Sequence, residues 1–383
     1  MNDGIRIVLG GLMIVAGGAC GTEAPDNPFD VSTASASASA SASGTSSDDA
    51  SGSATAGSAT GTTTTDVEDE TGGGPKLDVG VGDIPGPCEG EGCNEGCTSV
   101  DLVFVIDNSG SMGDYQAALG LAFPAFAATL DATLPMGTNL HVGVTSTEMG
   151  YSSSGSTSIN NGVCTFEGEG GLPNDAFYIT PDVTDSGRNG AQGRLYDPGD
   201  GTTYFEYVIG TGGGELAALE SWFDAAANIG TGGSNIEMST APAGWVADAA
   251  NDGTNAGFIR DEGSVLVVFF MQDEPDQTPL MIDGQAGGLA MLDKLVQAKA
   301  GCGGIDCIIA GGFLDEQACA ASGNLPLDDF LANVGETPIV QPLPDKNLAE
   351  DDPQSAADEM NMVLSGTLAE VIAQTCEEIG PEG

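Results

Sequence analysis

Basic side chains are almost missing from this sequence: eight Lys and Arg stand against 57 Asp and Glu, for a formal net charge of −49 at neutral pH. Nucleic acid is thereby excluded as a partner, because phosphate contacts need clustered Lys and Arg. The charge favours solubility and cation binding, and says nothing about fold. Histidine is nearly absent too, and the single His141 leaves no Ser-His relay. The G-x-S-x-G, H-E-x-x-H and P-loop lysine patterns do not occur. The glycine-rich run Gly210 to Gly214 has no lysine after it and reads as a turn opening a helix. The acid pairs Asp328-Asp329 and Asp351-Asp352 read as exposed surface charge. No enzyme is expected, an exported hydrolase least of the alternatives. No segment matches an EF-hand loop, so a structural, calcium-loaded surface protein would need several irregular sites, such as Asp197 to Gly201.

Long apolar runs are scarce. Ile5 to Ala19 is apolar but too short to span a bilayer comfortably, and it ends in Ala16-Gly17-Gly18-Ala19 before Cys20. The segment resembles a bacterial lipoprotein signal, with residues 1–19 removed and Cys20 lipidated; ordinary cleavage that leaves Cys20 free is the alternative. Gly21 after Cys20 leans toward the outer membrane of a Gram-negative bacterium. Residues 31 to 65 are almost wholly Ser, Ala, Thr and Gly and cannot offset chain entropy, so 20–97 is expected to be a disordered tether with a cysteine cluster at its end. Its root-mean-square reach is roughly 45–50 Å.

Cysteine occurs nine times. Setting Cys20 aside leaves Cys88, Cys93, Cys97, Cys164, Cys302, Cys307, Cys319 and Cys376, an even set that implies disulfides in an exported chain, although eight cysteines allow 105 pairings. A zinc knuckle at Cys88-x4-Cys93-x3-Cys97 is the rival, and it lacks a fourth ligand.

From Gly96 onward roughly 285 residues remain, ample for one large core. Val100 to Ile106 is a continuous apolar run, as in a strand buried on both faces of a parallel sheet. It ends in Asp107-x-Ser109-x-Ser111, three oxygen-bearing side chains at alternate positions of a tight turn. Tyr115 to Leu130 follows with helical spacing. Carboxylate and hydroxyls therefore sit where a strand's C-terminal end meets a helix, the usual ligand crevice of open α/β sheets. Such hard donors suit Mg²⁺ or Ca²⁺. Thr138 to Thr147 reads as a second strand, with His141 half-exposed on the face opposite Leu140, Val142 and Val144. Thr202 to Ile209 reads as an edge strand. Glu215 to Ile229 reads as a helix with Leu216, Leu219, Trp222 and Phe223 on one face. Ser264 to Met271 is a second buried strand, Leu289 to Ala300 a helix, Cys302 to Ala310 a region holding a fifth strand with Cys302 and Cys307 at its start, Pro338 to Leu343 a last strand, and Ser355 to Ile372 a closing helix that Cys376 pins to the body.

Asp107-x-Ser109-x-Ser111 after such a strand resembles the metal-ion-dependent adhesion site of von Willebrand factor type A domains. The resemblance implies a Rossmann-like, doubly wound, mostly parallel α/β sheet with helices on both faces, over residues 98–383. It implies that Ser109 and Ser111 bind Mg²⁺ (or Mn²⁺ or Ca²⁺) directly, with a hydroxyl from the turn Gly230-Thr231-Gly232-Gly233-Ser234. Thr231 and Ser234 both fit that role. Asp273, directly after the second buried strand, takes the place of the outer aspartate, though Gln272-Asp273-Glu274 replaces the usual Thr-Asp-Gly. Asp107 and Asp273 would act directly or through water, and an acidic side chain of a protein or matrix partner would complete the shell. Because the second strand runs parallel to the first in such domains, the insertion at about 148–201, which carries Cys164, would leave from the metal-site end: a specificity loop, or equally a solvated decoration. The whole then reads as a cell-surface lipoprotein held to the membrane by its lipid anchor.

Overall fold

The computed structural model describes residues 96–149, 189–233, 237–315 and 326–379, and the backbone of 156–160 and 163–167. The apolar runs form the strands their composition implies. Strands β1 (Ser99–Ile106), β2 (Asn139–Ser146), β3 (Ser156–Asn160), β4 (Val163–Glu167), β5 (Tyr204–Val208), β6 (Ser264–Gln272), β7 (Met281–Ile282), β8 (Gln285–Ala286), β9 (Ile308–Leu314) and β10 (Ile339–Gln341) alternate with helices. Those helices are α1 (Gly113–Thr133), α2 (Gly213–Ala227), α3 (Thr240–Trp245), α4 (Asp252–Asn255), α5 (Gly287–Ala298), α6 (Pro326–Leu331), α7 (Lys346–Asp351), α8 (Pro353–Val363) and α9 (Ala369–Glu378).

Six strands make one sheet in the order β10-β9-β6-β1-β2-β5. Every neighbouring pair is parallel except β2 with β5, which closes one edge antiparallel. The chain winds from β1 outward through β2 to β5, then returns to the other side of β1 as β6. The order therefore reverses between β1 and β6, the place where doubly wound sheets keep their ligand crevice.

β1 is buried along its whole length, and period-two alternation divides it cleanly. Leu102, Phe104 and Ile106 join one core with α1, α2, α8 and α9, while Val103 and Val105 join a second with α3, α5 and α6. In the first core Phe104 meets Phe123, Phe223 and Phe269 edge-on, at ring-centroid distances of 6.2, 4.8 and 5.7 Å.

Three expectations need correction. His141 is buried rather than half-exposed: the chain around Phe258 covers that face of β2, His141 Nδ1 meets the Phe258 carbonyl at 2.9 Å, and Tyr204 lies against the ring. The fifth strand begins at Ile308. Cys302 and Cys307 precede it on a tight turn, which their mutual disulfide closes. The closing helix runs beyond Ile372, because α8 and α9 are joined through a π-helical turn at Leu364–Leu368. Cys376 on α9 does pin that helix to the body, through a disulfide to Cys97 just ahead of β1. Cys20, Cys88, Cys93, Cys319 and the side chain of Cys164 lie outside the described residues.

In the insertion, β3 and β4 form an antiparallel hairpin, and Ala191, Gln192 and Leu195 are buried. Residues 189–196 are thus part of the packed body. Here Gly193, with φ +74°, lets the backbone pass against Trp245, where a Cβ would come within 2.6 Å.

Candidate metal centre

The register of the sheet brings three strand ends level. Ile106 pairs with Ser146 on one side and Met271 on the other, so Asp107, Thr147 and Gln272-Asp273 meet at one edge. Asp107 N–H donates to the Met271 carbonyl at 2.9 Å, continuing the ladder one residue past the strand. Its side chain then turns into the loop, where Oδ1 accepts from Ser109 N–H at 2.7 Å. Ser109 Oγ and Ser111 Oγ lie 3.1 Å apart. The carboxylate and two hydroxyls of the motif are therefore presented together.

The turn carrying Thr231 is fastened to this loop by Gln116, a residue on the first turns of α1. Its Nε2 donates to the carbonyls of Asp107 (3.0 Å) and Gly230 (2.9 Å), and its Oε1 accepts from Gly230 N–H at 3.2 Å. A further bond, Gly233 N–H to the Asn108 carbonyl at 3.0 Å, draws the two turns together. Gly233 lets the Asn108 side chain lie against it, since a Cβ would stand 2.2 Å from Asn108 Oδ1 and turn that amide away. Thr231 itself is exposed, with its methyl facing Gly113; Ser234 lies outside the described residues.

Electrostatically the place is unbalanced. Asp107 is fully buried and its Oδ2 has no hydrogen-bond partner; Asp273 Oδ1, Asn108 Oδ1 and Glu237 Oε1 are buried and partnerless as well. Burial pushes the Asp107 carboxyl up to about 7, the Ser109 N–H opposing and the charges of Asp273 and Glu274 adding to the rise. Burial, then the charge of Asp273, also raises Glu274. Asp273 thus sits within electrostatic reach of Asp107, across the switch point between β1 and β6. Among the described residues no three Asp, Glu, His or Cys side chains converge as a ready metal cluster. An ion here would be held by a mixed set of carboxylate and hydroxyl oxygens, and the orphaned acceptors fit a hard divalent cation.

Sequence reasoning missed Gln116, Thr147 and Glu237. Gln116 falls on the apolar face of α1, and a polar residue in a core stripe was the one available signal. Glu237 stands after Ser234-Asn235-Ile236 and nothing local marks it as buried, yet it is fully enclosed. The Asp197 to Gly201 loop, by contrast, is closed on itself: Asp197 Oδ1 accepts from Gly199 and Gly201 N–H at 2.7 and 3.0 Å.

No protein-family model matches the chain, and no curated protein matches it by sequence. Solved structures that resemble it in part include the following two. A von Willebrand factor type A protein from Catenulispora acidiphila is 14% identical, with a TM-score of 0.28, over 69% of this chain and 42% of that one. The pilus adhesin SpaC from Lactobacillus rhamnosus GG, in its open conformation, is 12% identical with a TM-score of 0.31, over 70% of this chain and 30% of that one. This chain thus spans less than half the length of either, and likeness at this level carries no argument about activity. The class is defined by the sheet itself: a doubly wound, mostly parallel α/β fold with its polar loops gathered at the switch point.

Proposed function

We propose that the chain is an exported, surface-held binding protein of the von Willebrand factor type A kind, which grips an acidic side chain of a protein or matrix partner through a divalent ion at Asp107. The observation that carries this reading is the fully buried, partnerless Oδ2 of Asp107 beside the Ser109–Ser111 hydroxyl pair. A buried carboxylate oxygen left without a donor, on a group with no counter-charge, is costly, and a cation would remove that cost. Ser109, Ser111 and Asp107 would hold the ion, with Thr231 or Ser234 as a further hydroxyl and Asp273 direct or through water. The ion, Mg²⁺ or in its place Mn²⁺ or Ca²⁺, supplies an electrophilic position, and one coordination place goes to the partner's carboxylate. On a chain this acidic the contact is small and strictly cation-dependent.

Two disulfides among the described residues, Cys97–Cys376 and Cys302–Cys307, favour an oxidising compartment. Attachment through a lipid on Cys20, at the outer membrane of a Gram-negative cell, is part of the same proposal. Among the described residues no helix is long and apolar enough to cross a membrane. The role proposed is binding; the one histidine is enclosed in the sheet's flank, and burial lowers its pKa.

Thermal unfolding of the full chain, disulfides intact, in EDTA, Mg²⁺, Mn²⁺ and Ca²⁺ tests the site. An ion that binds only the folded state stabilises it by about 2.7 kcal/mol at a hundred times its Kd. The wild type is expected to gain a concentration-dependent rise in midpoint that Asp107→Ala and Ser109→Ala both lose. A rise that survives both substitutions would move the ion to other acidic loops and favour a structural calcium protein. No rise with any ion would sink the reading.

A further inference from the structure

Glu237 is a fully enclosed acid that the proposed ion set leaves out. It follows the turn that carries Thr231, and its backbone is fixed from two sides: its carbonyl accepts from Gln277 N–H at 2.6 Å, and the next residue, Met238, donates to the Thr147 carbonyl at 3.2 Å. Thr147 is the first residue past β2, and its N–H donates to the Ile106 carbonyl at 3.2 Å. Glu237 is therefore moored at the same strand edge as Asp107, above the β1–β2 junction. One carboxylate oxygen, Oε2, accepts from Thr147 Oγ1. The other, Oε1, is buried with no hydrogen-bond partner, as is Oδ2 of Asp107.

Burial raises the Glu237 carboxyl, and the nearby charges of Asp107, Glu274 and Glu148, all acidic, add to the rise. Two enclosed carboxyls that repel each other, each with one satisfied and one orphaned oxygen, have two ways to coexist. They can hold a proton between them or near them, as paired carboxyls do, or they can share a cation. A shared proton would join the two carboxyls to each other alone. A shared divalent cation would also take in the Ser109–Ser111 hydroxyl pair beside Asp107, with Thr147 fixing the Glu237 carboxylate from behind.

We infer that Glu237 is a carboxylate ligand of the same ion as Asp107, oriented for it by Thr147. This rests on the reading of Asp107 as an ion site and extends it. The ion then lies between the ends of β1 and β2 with acidic donors on one side and the Ser109–Ser111 hydroxyls on the other, while Asp273 stays in the outer position. Two direct carboxylates neutralise a divalent ion, so the ion is resident, and its affinity is set by Glu237 as much as by the serine motif.

The test is titration of the metal-free full chain with Ca²⁺ and with Mg²⁺, by calorimetry, for wild type, Glu237→Gln, Thr147→Val and Asp107→Ala. Glu237→Gln is expected to weaken binding at least about tenfold, as loss of a charged ligand does, and Thr147→Val to weaken it less, because the carboxylate remains but loses its orienting bond. The EDTA midpoint of Glu237→Gln should equal or exceed that of wild type, since the amide keeps the shape of the side chain and carries no charge to bury at any pH. This separates a lost ligand from a damaged fold. Should Glu237→Gln be too poorly folded to titrate, the affinity of Thr147→Val decides. Wild-type affinity in Glu237→Gln, or in Thr147→Val where that stands alone, with binding lost only in Asp107→Ala, would overturn the inference and leave the ion site standing. Absence of binding in wild type would instead remove the reading on which it rests.

Discussion

At Asp107 the carboxyl is lifted from an ordinary 3.8 to about 7, which ties stability to pH in a defined direction. Between those values the folded chain keeps a proton that the unfolded chain has released, so this group's contribution is complete below about pH 4 and is lost as pH rises through 7. Glu237, raised to about 10, carries the loss further into the alkaline range. In EDTA the thermal midpoint is therefore expected to fall between about pH 5 and pH 8, and saturating ion, which needs deprotonated ligands, to flatten that slope. Asp107→Asn, neutral at every pH, separates this local effect from the general repulsion in a chain of net charge −49. An unchanged slope in Asp107→Asn would refute the assignment. Gln116 makes a second residue-scale case. Gln116→Leu leaves the buried carbonyl of Asp107 without this donor, at a cost of about 1–3 kcal/mol, and by losing the bonds to Gly230 unties the Thr231 turn from the serine loop. Ion affinity should drop together with stability; a stability loss with affinity intact would mean the turn is held in place by other contacts.

Among the elements, β1 decides most. Phe104 anchors its centre through three edge-on ring contacts, and Phe104→Ala is expected to cost about 3–5 kcal/mol in denaturant unfolding. A loss under about 1 kcal/mol would mean that the core closes over the deletion. The elements were also the most legible part of the sequence. A strand enclosed on both faces needs an unbroken apolar run, and Val100–Ile106 and Ser264–Met271 are such runs, so the parallel sheet could be read before any coordinates. The motif at Asp107, Ser109 and Ser111 was legible for the same reason, being contiguous with its strand. Gln116, Thr147 and Glu237 were not, because their roles come from turns that meet only in three dimensions. Cys302 and Cys307 misled about the start of β9 because cysteine fits a strand as readily as a turn. His141 seemed half-exposed because alternation along β2 gives the face but not what covers it: the Phe258 segment arrives from more than a hundred residues away.

For the molecule as a whole, the bond between Cys97 and Cys376 joins positions 279 residues apart and encloses almost everything described. Replacing both cysteines, Cys97→Ser with Cys376→Ser, should lower stability relative to wild type by about 2–5 kcal/mol, as loss of a long-loop disulfide does, without changing ion affinity measured at a temperature where the fold persists. A change in affinity would tie the last helix to the loops at the far end of the sheet. The same bond has a mechanical meaning. The chain enters at Cys97, β1 runs about 25 Å at roughly 3.3 Å per residue, and Asp107 stands at its other end. A pull on a partner held at Asp107, resisted by whatever precedes Cys97, would thus run along β1 as tension in its own backbone, between two attachment points on one strand, without having to part it from β2 or β6. At the lower end the disulfide passes part of that tension into α9, so the central strand is hauled against covalent rigging and not against the core alone.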